Sequence, residues 1–346
     1  MKGKKLGVLA IILSLSLTSL LASQSTHKKT YILLKRGETK LKKQNYEGAI
    51  KDFNEAIKLD TKDAMAYYNR ATAKLESGDI TGAIKDFDEA IKLDPKYAKA
   101  YNNRGGAKDK LGDNAGAIKD YDTAIALNPK LVEAYSNRAI TKYHLGDVKG
   151  AVQDYNKAIE LNPKYVEAYN NLGFAKYGMG DVTGAIKDYN SAIEIDPKFA
   201  DAYNNRGGAK YGLKDLAGAI KDYDIAIALN PKYGAAYNNR GFAKVSLGDA
   251  TGAIKDYTKA IELDPKISTT YSNRGFANYC LGNFADAIKD CSTAITLNPN
   301  FALAYYNRGL AKYKSGDKQN ALEDLKKAEE LGYAEASKTI RQIQGK

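Results

Sequence analysis

Along residues 216–229 the apolar side chains of Ala219, Ile220, Tyr223, Ala226 and Ile227 recur in steps of three and four, with Lys221, Asp222 and Asp224 between them. That spacing predicts a helix with one apolar stripe. Just upstream, Tyr203, Gly207 and Tyr211 stand four apart and predict an earlier helix over 200–213. Between the two lies Lys214-Asp215, written Gly-Asp in most other units. Glycine ends a helix and aspartate caps the next. Pro231 cannot extend the second helix and turns the chain away. The pattern is a helical hairpin.

The hairpin recurs. Pro95, Pro129, Pro163, Pro197, Pro231, Pro265 and Pro299 are all the prolines of the chain, each 34 residues from the next. A fixed period of this size means a stacked array, in which each unit buries its apolar face against its neighbours. Counting from the prolines gives nine units at 30–63, 64–97, 98–131, 132–165, 166–199, 200–233, 234–267, 268–301 and 302–335. Alanines from Ala49 to Ala321 hold the twentieth place of every unit, and alanines from Ala56 to Ala328 the twenty-seventh. The eighth place is Gly or Ala, as in Gly207 and Ala139, so two backbones can meet there. An aromatic at the twenty-fourth place, such as Phe53, Phe87 or Tyr223, fills the remaining gap. Beyond the array, Ala336, Ile340 and Ile343 share one face of an expected capping helix over 336–346.

The spacing of Tyr203, Arg206, Gly207, Ala219, Tyr223, Ala226 and Pro231 resembles the tetratricopeptide repeat. The resemblance implies an all-α fold, a right-handed α-solenoid superhelix whose first helices line a concave groove. Two places depart from the usual repeat. Most units carry Arg for Leu at the seventh place and Lys for Tyr at the eleventh, as in Arg206 and Lys210. Two like charges four apart on one helical face are unfavourable alone. Each unit also has an Asp at the twenty-third place, from Asp52 to Asp324, so Arg is expected to bridge to the second helix of its own or an adjacent unit.

Composition adds direction rather than fold. The formal charge of +12 favours acidic partners or surfaces. Lys2, Lys4 and Lys5 precede an apolar run from Leu6 to Ala22 and a small-residue stretch, so residues 1–25 read as a signal peptide and 26–29 as a short polar linker. The chain is therefore expected to be exported; the alternative is a membrane anchor made by residues 6–22, the one route to a membrane in this reading. Cys280 and Cys291 are the only cysteines, which excludes a disulfide framework, and Cys291 replaces the packing aromatic of its unit.

Little in the residue inventory points to chemistry. His27 and His144 are the only histidines and neither has a partner for catalysis or metal binding. The Gly105-Gly106 and Gly207-Gly208 pairs follow the repeat and precede no phosphate-binding turn, so no nucleotide, metal or other cofactor is expected. The one constellation above background is an asparagine ladder at the sixth place: Asn69, Asn103, Asn137, Asn171, Asn205, Asn239, Asn273 and Asn307. Asn is a mediocre helix former, so its repetition at mid-helix asks for a reason. Its amide suits both groups of a peptide backbone, and similar ladders in the resembled family bind peptides this way. The competing reading is that the amides cross-link neighbouring first helices. Phe174, Phe242, Phe276, Tyr177 and Tyr211 lie further along the same helices and are candidate groove contacts. The chain thus reads as a scaffold, not an enzyme, that binds an extended segment of a partner protein. The alternative is binding of a polyanion, nucleic acid or an acidic envelope polymer, through the basic surface. The lysines of the twenty-second place are spread along the repeat, which argues against a nucleic-acid patch.

Overall fold

A computed structural model describes residues 26–345, and these form nineteen helices with no strand. The segment expected to direct export, residues 1–25, lies outside the described residues. Two compact units divide at Pro163 and Lys164. The first holds α1 (26–42), α2 (Tyr46–Leu59), α3 (Ala64–Glu76), α4 (Ile80–Leu93), α5 (Ala98–Lys110), α6 (Asn114–Leu127), α7 (Val132–His144) and α8 (Val148–Leu161). The second holds α9 (Val166–Gly178), α10 (Val182–Ile195), α11 (Ala200–Gly212), α12 (Leu216–Leu229), α13 (Gly234–Ser246) and α14 (Ala250–Leu263). It continues with α15 (Ser268–Cys280), α16 (Phe284–Leu297), α17 (Ala302–Lys314), α18 (Lys318–Glu330) and α19 (Ala334–Gln344). Within each unit, every odd-numbered helix up to α17 packs as a hairpin with the one that follows, and α19 packs on α18. The expected linker at 26–29 is instead the first turn of α1, because Thr30, Leu33 and Leu34 already bury one side of that helix.

Close packing follows from the small residues. Ala219, Ala226 and Ala243 are fully buried, and Tyr223 lies between them. At Gly207 a side chain would run into the Tyr223 ring, with an added Cβ only 2.7 Å from it. The hairpin turn is built by glycine. Gly112 adopts φ +82°, its N–H donates to the Asp109 carbonyl at 2.9 Å, and the Asp113 N–H donates to the Lys108 carbonyl at 3.0 Å. This paired closure satisfies the last carbonyls of the first helix. The next helix starts at once, since the Asp113 carboxylate accepts from the Gly116 N–H at 2.9 Å. Lys214 takes the same left-handed conformation, at φ +63°, without being glycine.

Candidate functional site

The arginine and aspartate places pair within most hairpins of both units. Arg206 donates through Nε and Nη2 to both oxygens of Asp222, at 2.8 and 2.6 Å. Its third nitrogen, Nη1, reaches Asn190 of the preceding hairpin at 2.6 Å. Lys210 adds an ammonium 2.7 Å from Asp222, and the Arg206 guanidinium lies over the Tyr203 ring at 5.4 Å. The like charges at 206 and 210 therefore share one buried carboxylate, and Arg bridges to its own unit and to the adjacent one. The same set recurs around Asp86, Asp120, Asp154, Asp256 and Asp324.

Two hairpins break it. Leu172 stands in the arginine place, so Asp188 is held by Lys176 alone of the two cations, at 2.7 Å. Burial raises the Asp188 carboxyl above its ordinary range, with Lys176 opposing. In the hairpin of α15 and α16, Asn278 stands in the lysine place and reaches Asp290 at only 3.3 Å. Asp52, by contrast, is held below the ordinary carboxylate range by the Arg36 hydrogen bond above all, with Lys40 adding to it.

The asparagines bond sideways. Asn137 donates to the Asn102 carbonyl at 3.1 Å, Asn205 to Asn170 at 3.0 Å, and Asn239 to Asn204 at 3.1 Å. Asn273 reaches Asn238 at 3.1 Å, Asn307 reaches the Ser272 hydroxyl at 3.2 Å, and Asn103 reaches the Tyr68 hydroxyl at 2.9 Å. Six of the eight sixth-place amides are thus tied to the fifth place of the preceding unit. Within a unit the pair also bonds, as Asn170 to the Asn171 carbonyl at 3.2 Å. Asn69 has no such acceptor, because the fifth place before it is Leu34, and its buried amide nitrogen is unpaired. An amide carries two N–H groups and two lone pairs, so a single lateral bond leaves capacity over. Apart from the buried Asn307, the ladder residues are half-buried.

The candidate aromatics divide. Phe174, Tyr177, Phe242 and Phe276 are exposed, and Tyr211 is half-buried with its ring 5.2 Å from that of Phe242 and its hydroxyl 2.9 Å from Ser246. Phe242 and Phe276 come together with Asn273 and Asn307 around an open pocket of about 210 Å³, completed by Val245, Tyr257, Leu303, Tyr306 and Tyr333. Its walls are side chains of α13, α15 and α17, closed at one end by the turn before α19. A neighbouring pocket of about 170 Å³ includes Asn238 and Asn239. Sequence reasoning missed Leu303 and Tyr333; the signal lay at the second place, where Glu133, Glu167 and Asp201 give way to Leu303.

A TPR repeat family model matches residues 37–77, 71–112, 109–146, 141–180, 177–214, 243–282 and 279–316, and a second tetratricopeptide repeat model matches 302–331. The chain belongs to the tetratricopeptide repeat family. Members of this family are generally scaffolds for protein interaction, and this TPR chain is one by its repeats. Among solved structures, the "APC/C hetero-tetramer Cut9-Hcn1" is similar at a TM-score of 0.62 and 14% identity, over 91% of this chain and 76% of that one. This likeness concerns the fold. YrrB, described as "a TPR protein with an unusual peptide-binding site", is similar at a TM-score of 0.45 and 22% identity, over 54% of this chain and 96% of that one. The MamA protein is similar at 0.43 and 29%, over 49% of this chain and 93% of that one. Comparison with curated proteins finds no match. Among the described residues of the TPR array, no cluster of His, Cys, Asp or Glu is placed to hold a metal ion, and no helix is long and apolar enough to cross a membrane.

Proposed function

We propose that this TPR chain holds an extended segment of a partner polypeptide against the first helices of residues 164–346. The observation that carries the proposal is the pocket between α13, α15 and α17. It offers apolar walls from Phe242, Phe276, Leu303 and Tyr306 beside two asparagine amides, Asn273 and Asn307. Exposed aromatic surface beside amides with spare hydrogen-bonding capacity suits a peptide, one bulky apolar side chain in the pocket and its backbone against the amides. Of the other ladder residues, Asn103, Asn137, Asn205 and Asn239 serve this reading mainly by fixing the spacing of neighbouring first helices, and Asn69 and Asn171 belong to the same row.

The test is selection from a random phage-displayed peptide library on the full chain, followed by titration of the recovered peptides. Recovered sequences should share a bulky apolar residue. Phe242→Ser with Phe276→Ser should weaken them about ten- to a hundred-fold, since each ring loses about 1 kcal/mol or more of burial. Recovered peptides that bind the double variant as well as wild type would remove the pocket from the mechanism. We also propose that the chain is exported, on the strength of Lys2, Lys4, Lys5 and the run from Leu6 to Ala22. Terminal sequencing of protein from its host tests this: an amino terminus between Ser23 and Thr26 is expected, and an intact Met1 in a cytosolic fraction refutes it.

A further inference from the structure

We infer that the exposed face of α1 docks on an anionic lipid surface. The inference is independent of the peptide-binding reading, since it concerns the opposite end of the chain and a different chemistry.

Helix α1 has two sides. Thr30, Leu33 and Leu34 are buried, and Gly37 lies under the Phe53 ring, so one side is committed to α2. The other side is exposed along Lys28, Tyr31, Ile32, Lys35, Thr39 and Lys42. Lys28, Lys35 and Lys42 are seven apart and share one stripe, with Ile32 and Thr39 between them. Tyr31 is 62% exposed and Ile32 is 52% exposed. Ile32 occupies the third place of its unit, where later hairpins carry a fully buried alanine such as Ala66, Ala100 or Ala134. An end face that merely closed an array would be expected to carry a polar residue there, and large apolar side chains on it call for a cover.

The charge says which cover. Between Thr26 and Tyr46 there are seven Lys and Arg residues and a single acid, Glu38. Arg36 and Lys40 turn inward to Asp52, and Lys35 pairs with Glu38. Lys28, Lys29, Lys42 and Lys43 form no ion pair among the described residues and remain exposed. The helix that ends the chain differs: the exposed residues of α19 include Glu335 beside Lys338 and Arg341, a mixed surface. A predominantly basic face, its one acid Glu38 paired to Lys35, with an exposed aromatic and an exposed aliphatic residue at its middle, is the pattern of a helix lying in a lipid interface. Apolar side chains enter the headgroup boundary there, while lysines meet anionic headgroups. The apolar run Leu6 to Ala22 stands just before this helix in the sequence, so a retained run would hold α1 at a lipid surface, and a removed one leaves the charge and the exposed apolar pair to carry the docking.

The probe is a pair of vesicle preparations, neutral phosphatidylcholine and the same lipid with about one-third phosphatidylserine, titrated with the full chain in a flotation assay. The run at 6–22 acts on both vesicles, so the readout is the ratio of affinities, anionic over neutral. Wild type should prefer the anionic vesicle, and the preference should fall with added salt. Lys28→Gln, Lys35→Gln and Lys42→Gln together should reduce the preference about a hundred-fold, from the attraction of each lysine near such a surface. These residues are solvent-exposed, and unchanged helicity by circular dichroism excludes unfolding as the cause. Tyr31→Ser with Ile32→Ser should weaken binding to the anionic vesicle while leaving every charge in place. A triple variant that keeps the wild-type preference overturns the inference. So does a duplex DNA that binds as tightly as the anionic vesicle and ignores the Tyr31 and Ile32 changes, which would assign the face to polyanions at large.

Discussion

Asp188 and Asp222 occupy the same place in neighbouring hairpins and differ in their company. Asp222 receives Arg206 at two points and Lys210 at a third, whereas Asp188 faces Leu172 and keeps Lys176. Removing one member of a buried ion pair leaves an uncompensated charge, so Asp222→Asn should cost about 3 kcal/mol, and Asp188→Asn less than about 1 kcal/mol, in urea unfolding at neutral pH. The two variants losing equal stability would contradict the ladder. The pH dependence carries a definite sign. Because burial raises the Asp188 carboxyl, the folded state holds its proton more tightly than the unfolded chain does. Stability from that proton is present at acid pH and lost as pH rises through the raised folded value. The balance between Asp188→Asn and wild type should accordingly move toward the variant as pH rises through that value. Asp52 runs the other way: its lowered carboxyl contributes above the ordinary range, and the contribution is lost as pH falls through the lowered folded value. This ladder was legible in the sequence, because Arg and Asp sit at fixed places sixteen apart in nearly every unit. The asparagine cross-links stood in the sequence only as the competing reading, since their partners are thirty-five residues away and depend on how one hairpin leans on the next.

Elements are delimited by their turns, and two turns are built from residues other than glycine, Gln44 (φ +58°) between α1 and α2 and Lys214 (φ +63°) between α11 and α12. Gly78, Gly112, Gly146, Gly180, Gly248, Gly282 and Gly316 take a left-handed conformation between the two helices of a hairpin, and Lys214 takes it between α11 and α12. A Cβ in that region crowds the following carbonyl. Lys214→Gly should stabilise the protein by about 0.5–1 kcal/mol, less than the full strain because glycine also loosens the unfolded chain. A raised urea midpoint with unchanged slope is the expected result; a lowered midpoint would mean that the Lys214 side chain holds the turn through a contact. The caps show the same economy. Asp215 accepts from the Gly218 N–H at 2.9 Å, where glycine lets the carboxylate approach closely, and at Asn320, which carries a Cβ, the matching bond to Asp317 lengthens to 3.2 Å. Where that glycine is replaced by Asp286, the cap residue is Asn283 and its side chain makes no such bond. Start, stop and period of the helices in the central units could be read from these residues. The first turn of α1 could not, since its polar sequence hides the burial of Thr30.

For the molecule as a whole, the lateral bonds make hairpins interchangeable. If residues 200–233 were deleted, Asn239 would meet Asn170 in place of Asn204, and Arg240 would meet Asn190 in place of Asp224. Donor and acceptor survive the join. Stability in such an array is a sum of unit and interface contributions, so this deletion should leave a cooperatively folded protein with proportionally less helix. Deleting only 200–213 should not, because α12 would lose the partner that covers Tyr223. Circular dichroism and urea unfolding of both deletions decide the matter, and equal loss of cooperativity would refute the register. The pocket of α13, α15 and α17 is the part of the candidate site least visible in the sequence. Phe242 and Phe276 were found by their place in the repeat, but Leu303 and Tyr333 join them only when three hairpins and a turn are stacked.

The two cysteines of one hairpin amount to a chemical stopwatch. Cys280 is exposed at the end of α15, while Cys291 is enclosed in α16, its thiol pushed up to about 12 by burial. A disulfide-exchanging dye should label Cys280 at once and Cys291 only when α15 lifts from α16. The delay between the two labels therefore times the breathing of a single hairpin in the unaltered protein. A peptide seated on α15 would lengthen it.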